Sequence, residues 1–183
     1  MKQIFLLLFF PIILFAQNSE EYKVYSQFLQ DKNFDSKKTI VLKKETKILS
    51  DEKLKELKYE NLKKTFLKSL EKETFDDFIK INKTDSNLDS IFKNDKKVVI
   101  INENEIHEIF KDINTGWNFF YKKFPNSIGL LRLSRIGFNK SKTQAFFYYD
   151  KTSGMLTGSG NYILFEKQNG KWTLKSSYMN WIS

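Results

Sequence analysis

The sequence contains no cysteine, so the fold does not depend on disulfide bonds and no thiolate is available for catalysis or metal binding. Its 183 residues include only two prolines and seven glycines, and no cluster of them forms a linker. We therefore expect a single domain over residues 17–183. The only histidine is His107, and no Gly-x-Ser-x-Gly segment is present, so nucleophilic catalysis has little support.

Arginine is also scarce, because all but two of the 31 basic residues are lysines. The formal net charge is +9. The excess lies in residues 113–183, which contain 8 lysines and 2 arginines but only two acidic residues, Asp150 and Glu166. Such a surface is compatible with a polyanionic partner. Dedicated phosphate sites usually use arginine forks, however. We therefore interpret the lysines as a solvated surface and expect no nucleic-acid partner.

The N-terminus has the pattern of a secretory signal peptide. Lys2 is followed by an apolar run over residues 4–15, and Ala16 is a small residue suited to cleavage. This run is shorter than the roughly 20 apolar residues that span a bilayer, and Pro11 interrupts it. We predict that residues 1–16 are removed and that the mature protein is soluble and exported, either periplasmic or secreted.

The first half of the mature chain reads as helices with two strands. Residues 39–42 and 98–101 are short β-branched runs that predict strands. Helices are predicted to begin at Ser19, at Ser50 and at a Thr74/Asp77 capping box, with a kink near residues 59–64. A second box, Asn102 with Glu105, predicts a helix whose apolar side carries four residues: Ile106, Ile109, Phe110 and Ile113.

The second half reads as β-structure from residue 128 onward. Asn169-Gly170 is typical of a two-residue type I′ turn. The register that follows places three pairs opposite one another on one core face: Lys167 with Trp172, Phe165 with Leu174, and Ile163 with Ser176. Residues 130–138 and 143–149 predict another hairpin. Its second strand carries Phe146 and Tyr148 on one face and Phe147 and Tyr149 on the other, which indicates a sheet covered on both sides.

Several short blocks in this half are distinctive: Gly116-Trp117, Phe124-Pro125-Asn126-Ser127, Ser134-Arg135-Ile136-Gly137-Phe138-Asn139, Thr143-Gln144-Ala145, Gly158-Ser159-Gly160-Asn161-Tyr162, Gly170-Lys171-Trp172 and Trp181-Ile182-Ser183. Together they resemble a family of uncharacterised exported bacterial proteins, over about residues 98–183. Further upstream, Asp77-Phe78, Lys80 and Asn82 share the likeness. The resemblance implies a common fold and no particular chemistry.

The overall expectation is an α+β domain in which N-terminal helices pack on a C-terminal curved antiparallel meander of about four strands. A helix followed by such a meander is similar to the cystatin-like cone of the nuclear-transport-factor superfamily. Cones of this kind include both enzymes and plain binding modules, so the likeness concerns the fold alone.

The two arginines are the most informative candidate residues. In a regular strand over residues 130–138, Arg132 and Arg135 lie on opposite faces, and the inward one needs a partner. We assign Arg135 to the covered face. It either pairs with a helix glutamate or anchors an anionic group of a ligand, with Tyr148 and Tyr162 as walls, while Arg132 is expected to be exposed.

Other motifs give no site. Glu103 and His107 are four residues apart on one helix, which is too few ligands for a metal site. Residues 85–96 lack the glycine and glutamate of a calcium loop, and Gly158 and Gly160 precede a strand, whereas phosphate-binding loops open a helix. We predict no metal, no cofactor and no catalytic residue.

The sequence therefore favours a non-enzymatic exported protein that binds a small molecule, a glycan or a protein through the concave face of its sheet. A homodimer formed through the sheet is a further option. The alternative is a small hydrolase or isomerase with a carboxylate and tyrosine pocket. In the C-terminal part only Asp150 and Glu166 are available as carboxylates, and the sequence places both near strand ends.

Overall fold

The computed structural model describes residues 10–31, 38–47, 49, 56–92 and 98–183, with side chains from residue 20 onward except those of 89 and 90. The part of the chain that it describes is α+β, as the sequence predicts. Its helices are α1 (Phe10–Asp31), α2 (Tyr59–Thr65), α3 (Lys72–Ile81), α4 (Asp89–Phe92), α5 (Glu103–Ile109) and α6 (Gly116–Lys123).

The strands form one mixed sheet and are more numerous than the four expected. They are β1 (Thr39–Lys43), β2 (Val98–Ile101), β3 (Ser127–Leu133), β4 (Gly137–Phe138), β5 (Gln144–Gly154), β6 (Thr157–Gln168) and β7 (Lys171–Ile182). Their order is β2-β1-β3-β5-β6-β7, with β4 also paired to β5. The predicted strands at residues 39–42 and 98–101 join the sheet in parallel pairs, which extends the antiparallel β3–β7 region.

The β6–β7 hairpin confirms the predicted turn. Asn169 and Gly170 both have positive φ, 49° and 78°, as a type I′ turn requires. The pairs Lys167 with Trp172 and Phe165 with Leu174 are as predicted. The register then shifts between Leu164 and Phe165, so that Ile163 pairs with Ser177 and not with Ser176. A bulge of one residue on β7 explains this difference.

The predicted strand over residues 130–138 is interrupted. β3 ends at Leu133 and β4 begins at Gly137, and both pair with β5. Ser134 spans the break: its N–H donates to the Tyr148 carbonyl (2.8 Å) and its Oγ accepts from the Tyr148 N–H (2.8 Å). Because the strand is not regular there, simple alternation does not decide where Arg132 and Arg135 point.

Both faces of the sheet are covered, as the aromatic pattern predicts. On the back face α1 packs against a cluster that includes Phe147, Tyr149 and Trp172. On the front face, one end is covered by α2 and α3 over Phe146, Tyr148 and Tyr162. The other end of the front face is covered by α5 and α6 over β1, β2 and β3.

Several predicted helix boundaries are wrong. Ser19 lies inside α1 and is not its cap, and α3 begins at Lys72 after Glu71, with Thr74 buried inside it. The predicted start at Ser50 lies outside the described residues, and the break falls after α2, at residues 66–71, and not at 59–64. The Asn102/Glu105 capping box is confirmed, but α5 stops at Ile109 and leaves Ile113 68% exposed.

Among the described helices, none has the length and apolar character needed to cross a membrane. Helix α1 continues through the predicted cleavage position after Ala16. Removal of residues 1–16, the boundaries of the mature domain and export all stay predictions.

Candidate functional site

The break between β3 and β4 is the docking point of α3. The buried side chain of Asn82 accepts from the Arg135 N–H (2.8 Å) and donates to the Arg135 carbonyl (3.1 Å), replacing the strand partners that the break removes. Asp77 accepts from the Phe138 N–H at 2.9 Å. A Cβ at Gly137 would lie 2.4 Å from the backbone N of Phe78, so glycine is needed for this close approach.

The next block of the distinctive pattern fixes the start of α3. Asn139 accepts from the N–H groups of Thr143 (2.9 Å) and Gln144 (3.1 Å) and donates to Glu71 (2.8 Å). Gln144 in turn accepts from the Glu71 N–H and donates to the Ser69 carbonyl. These residues are therefore explained by folding, since each satisfies backbone groups where a helix meets the sheet.

Arg135 pairs with a helix glutamate. Its Nη2 lies 3.3 Å from Oε1 of Glu21 on α1, and the Glu21 side chain is only 3% exposed. Burial raises the pKa of Glu21, and the Arg135 charge opposes that rise. The arrangement is the paired option that the sequence left open, and it places the Arg135 side chain toward α1.

The polar centre of the front face is formed by Asp150, Lys47 and Arg132, which we call the Asp150 cluster. Asp150 is fully buried and lies within β5, not at a strand end as expected. Its Oδ1 accepts from Nε of Arg132 at 2.5 Å, and its Oδ2 accepts from Nζ of Lys47. Arg132, expected to be exposed, is 37% exposed and also holds a buried carboxylate.

Only one guanidinium nitrogen of Arg132 is used in this cluster. Within the described residues its side chain makes its sole hydrogen bond through Nε, which leaves the two terminal nitrogens for solvent or a ligand. The cluster contains two cations and one carboxylate. A buried carboxylate that orients a partly exposed arginine produces a preorganised anion-binding group.

An aromatic wall adjoins the cluster. Nζ of Lys47 lies 5.0 Å from the centre of the Tyr148 ring, and Tyr148 Oη accepts from Nε1 of Trp181 at 2.7 Å. Trp181 lies over Gly160, the β6 partner of Asp150, where a Cβ would come within 2.1 Å of both Trp181 and Tyr148. Burial raises the pKa of Tyr148 to about 12, so its hydroxyl stays protonated at neutral pH.

A pocket of about 240 Å³ lies beside this wall, between the chain around α2 and strands β6 and β7. Its lining combines apolar, amide and charged groups: Glu56, Leu57, Lys58, Asn61, Leu62, Tyr162, Tyr178 and Asn180. The Tyr162 ring centre is 5.0 Å from that of Tyr148. We call this space the Tyr162 pocket.

The three candidate residues are only partly brought together. Tyr148 and Tyr162 are neighbours on the front face, whereas the Arg135 side chain is directed to α1. Sequence reasoning did not identify Arg132, Lys47 and Trp181 as site residues. The one available signal was the pairing of Arg132 with Asp150, which an antiparallel register between β3 and β5 would have revealed.

No metal-binding group of three or more acidic, histidine or cysteine side chains occurs in the described ranges. Glu103 pairs with Lys43 and not with His107, which is exposed. A larger open groove of about 750 Å³ lies between α5 and α6, beside the exposed Phe119. No protein-family model, curated protein or solved structure matches this chain.

Proposed function

We propose that the protein is an exported, non-enzymatic binding protein that holds an anionic group of a small molecule on the front face of its sheet. Arg132 is the anchor in this proposal, with Lys47 beside it. The observation that carries the proposal is the Arg132–Asp150 pair: the buried carboxylate takes Nε and leaves the terminal nitrogens at the surface. The anchor therefore differs from Arg135, which the sequence favoured. The cystatin-like cone and the homodimer stay predictions.

The enzymatic alternative has a carboxylate beside a tyrosine, Asp150 and Tyr148, but their chemistry argues against it. Both oxygens of Asp150 already accept from cations, so the carboxylate has no ready position for a substrate proton. Tyr148 donates no proton easily either, because burial raises its pKa to about 12. Binding is thus the better supported function.

The test compares Arg132→Ala with Arg135→Ala, which remove the same charge from neighbouring positions. Thermal melts in sodium phosphate and in sodium chloride of equal ionic strength measure specific anion binding, since a ligand of the folded state raises the melting temperature. We expect phosphate to stabilise the parent and Arg135→Ala, and to lose its effect in Arg132→Ala. Charge-assisted hydrogen bonds predict a loss in affinity of at least about tenfold.

Arg132→Lys is a second variant, which keeps the proposal testable if Arg132→Ala unfolds. It preserves the positive charge beside Asp150 and should therefore keep the fold. Lysine has no guanidinium fork, so phosphate binding should still fall. An equal phosphate effect in all four proteins would contradict the proposal, as would an absence of any effect in the parent. Loss of binding only in Arg135→Ala would identify Arg135 as the anchor and also contradict it.

A further inference from the structure

The Tyr162 pocket is lined by a tyrosine hydroxyl that bonds no described residue. Tyr162 is 4% exposed, and its hydroxyl makes no hydrogen bond to any residue that the structure describes. The Tyr162 oxygen is not one of the enclosed atoms without a partner among the described residues, so it is accessible to a group that enters the pocket. Burial and the neighbouring Tyr148 and Tyr178 rings raise its pKa, which keeps it a neutral donor and acceptor.

The other groups around this hydroxyl are of complementary kinds. Asn61, Asn180 and Glu56 are exposed residues of the lining, and their side chains are amide and carboxylate hydrogen-bonding groups. Leu57 and Leu62 provide apolar surface. Tyr162 and Tyr178 add aromatic surface from adjacent strands, with their rings nearly parallel at 9°.

Size limits the ligand further. The pocket volume of about 240 Å³ lies below the range of roughly 300–1,000 Å³ that drug-sized ligands occupy, so the enclosed part matches a single ring. The lining carries one acidic and one basic residue, Glu56 and Lys58, so it has no net formal charge that would favour a charged ligand. A polyhydroxylated ring matches this lining, because its hydroxyls both donate and accept while its C–H face is apolar.

We propose that the Tyr162 pocket is a binding site for a neutral monosaccharide unit, in which Tyr162 Oη and the amides of Asn61 and Asn180 bond the sugar hydroxyls. This site does not depend on the anion site at Arg132. The two are tested with different probes and different variants, so either can fail alone.

The test uses two-dimensional NMR titration of the full mature chain with glucose, galactose and N-acetylglucosamine. We expect saturable amide shifts around α2 and the end of β7 with at least one sugar, with a dissociation constant on the order of millimolar for so small a ligand. Tyr162→Phe removes only the hydroxyl and should weaken binding about five- to tenfold. Tyr22→Phe, on the exposed side of α1, is the matched control and should bind as the parent does.

Asn180→Ala is a second variant at an exposed position, which should fold and should also weaken binding. The proposal is overturned if none of the three sugars gives saturable shifts at about 100 mM, a concentration far above the expected dissociation constant. It is equally overturned if the shifts persist unchanged in Tyr162→Phe and Asn180→Ala.

Discussion

At the scale of single residues, buried and half-buried carboxylates link distant segments of this molecule. Glu21 holds Arg135, and Asp150 holds Arg132 and Lys47. Glu20 accepts from Lys167 Nζ (2.8 Å), Trp172 Nε1 (3.1 Å) and Lys23 Nζ (2.8 Å), and so ties α1 to the β6–β7 hairpin. Each acid gains partners from distant segments, which offsets part of the cost of removing its charge from water.

Glu20 should make stability depend on pH in the acid range. Burial alone would raise the pKa of Glu20, but its bonds to Lys167, Lys23 and Trp172 outweigh burial and lower it to about 2 from an ordinary 4.5. The folded state therefore binds the proton less readily than the unfolded chain, so the stabilisation is present above pH 4.5 and is lost as the pH falls toward 2. We expect Glu20→Gln to be less stable than the parent at pH 7 and closer to it at pH 3.

Denaturant titrations at both pH values measure this difference in the free energy of unfolding. Glu108→Gln, at an exposed position of α5, controls for the loss of one negative charge. A gap between the parent and Glu20→Gln that is the same at pH 3 and pH 7 would show that these contacts do not stabilise the folded state.

At the scale of elements, the sheet is organised around an interrupted strand. The break between β3 and β4 exposes backbone groups that Asn82, Asp77 and Ser134 satisfy, and this brings α3 onto the sheet. The distinctive block over residues 134–139 thus has a structural role. Its side chains and Gly137 form the surface on which α3 docks. The Arg135 side chain instead reaches α1.

Gly137→Ala should be among the most destabilising small substitutions in the protein. The added Cβ would lie 2.4 Å from the Phe78 backbone N and 2.6 Å from its Cα, and backbone atoms of a packed helix cannot move aside easily. We expect a cost of at least about 2 kcal/mol in the free energy of unfolding. Gly154→Ala is the matched control, because its Cβ would meet only the Thr157 side chain, at 3.3 Å.

The control should change stability by less than about 0.5 kcal/mol, as surface substitutions usually do. Urea titrations followed by tryptophan fluorescence compare the two variants. Similar costs for both would mean that the close approach of α3 to β4 is not required.

At the scale of the whole molecule, the uneven charge of the sequence is partly offset by pairing between its two parts. The basic C-terminal part pairs with acids of the neutral N-terminal part through four long-range contacts: Lys123 with Glu105, Arg135 with Glu21, Lys140 with Glu73, and Lys167 with Glu20. The C-terminal excess therefore does not by itself indicate a polyanionic partner, and a local feature such as the Arg132 terminal nitrogens is the more specific signal.

The position of the mature N-terminus can be tested by comparing two shortened chains. We predict that export leaves an N-terminus at Gln17, and Glu20 and Glu21 lie just beyond it. A chain that begins at Gln17 should therefore keep the contacts that dock α1, while a chain that begins at Tyr22 should lose them and melt at a clearly lower temperature. Thermal melts of the two chains measure the contribution of these contacts to stability. The intact mass of the protein purified from its native envelope identifies the mature N-terminus.

Equal melting temperatures for the two chains would contradict the role of Glu20 and Glu21. A native mass that includes residues 1–16 would contradict the predicted cleavage.

Features that depend on neighbouring residues were predictable from the sequence. The Asn169-Gly170 turn, the Asn102/Glu105 box and the aromatic alternation of β5 all appear as expected, since turn geometry, capping and strand periodicity act within a few residues. The errors were also local in origin. A one-residue bulge moved Ile163 to Ser177, and the break after Leu133 removed the alternation on which the placement of the arginines depended.

The amino-acid sequence by itself thus determined the α+β class, the β6–β7 register near its turn and the double cover of the sheet. Tertiary structure decided the sites. Asp150 meets Lys47 across 103 positions of the chain, and Asn82 meets Arg135 across 53. Such partners are chosen by which strands pair and which helix docks, because a buried charge or amide takes the group that folding places beside it.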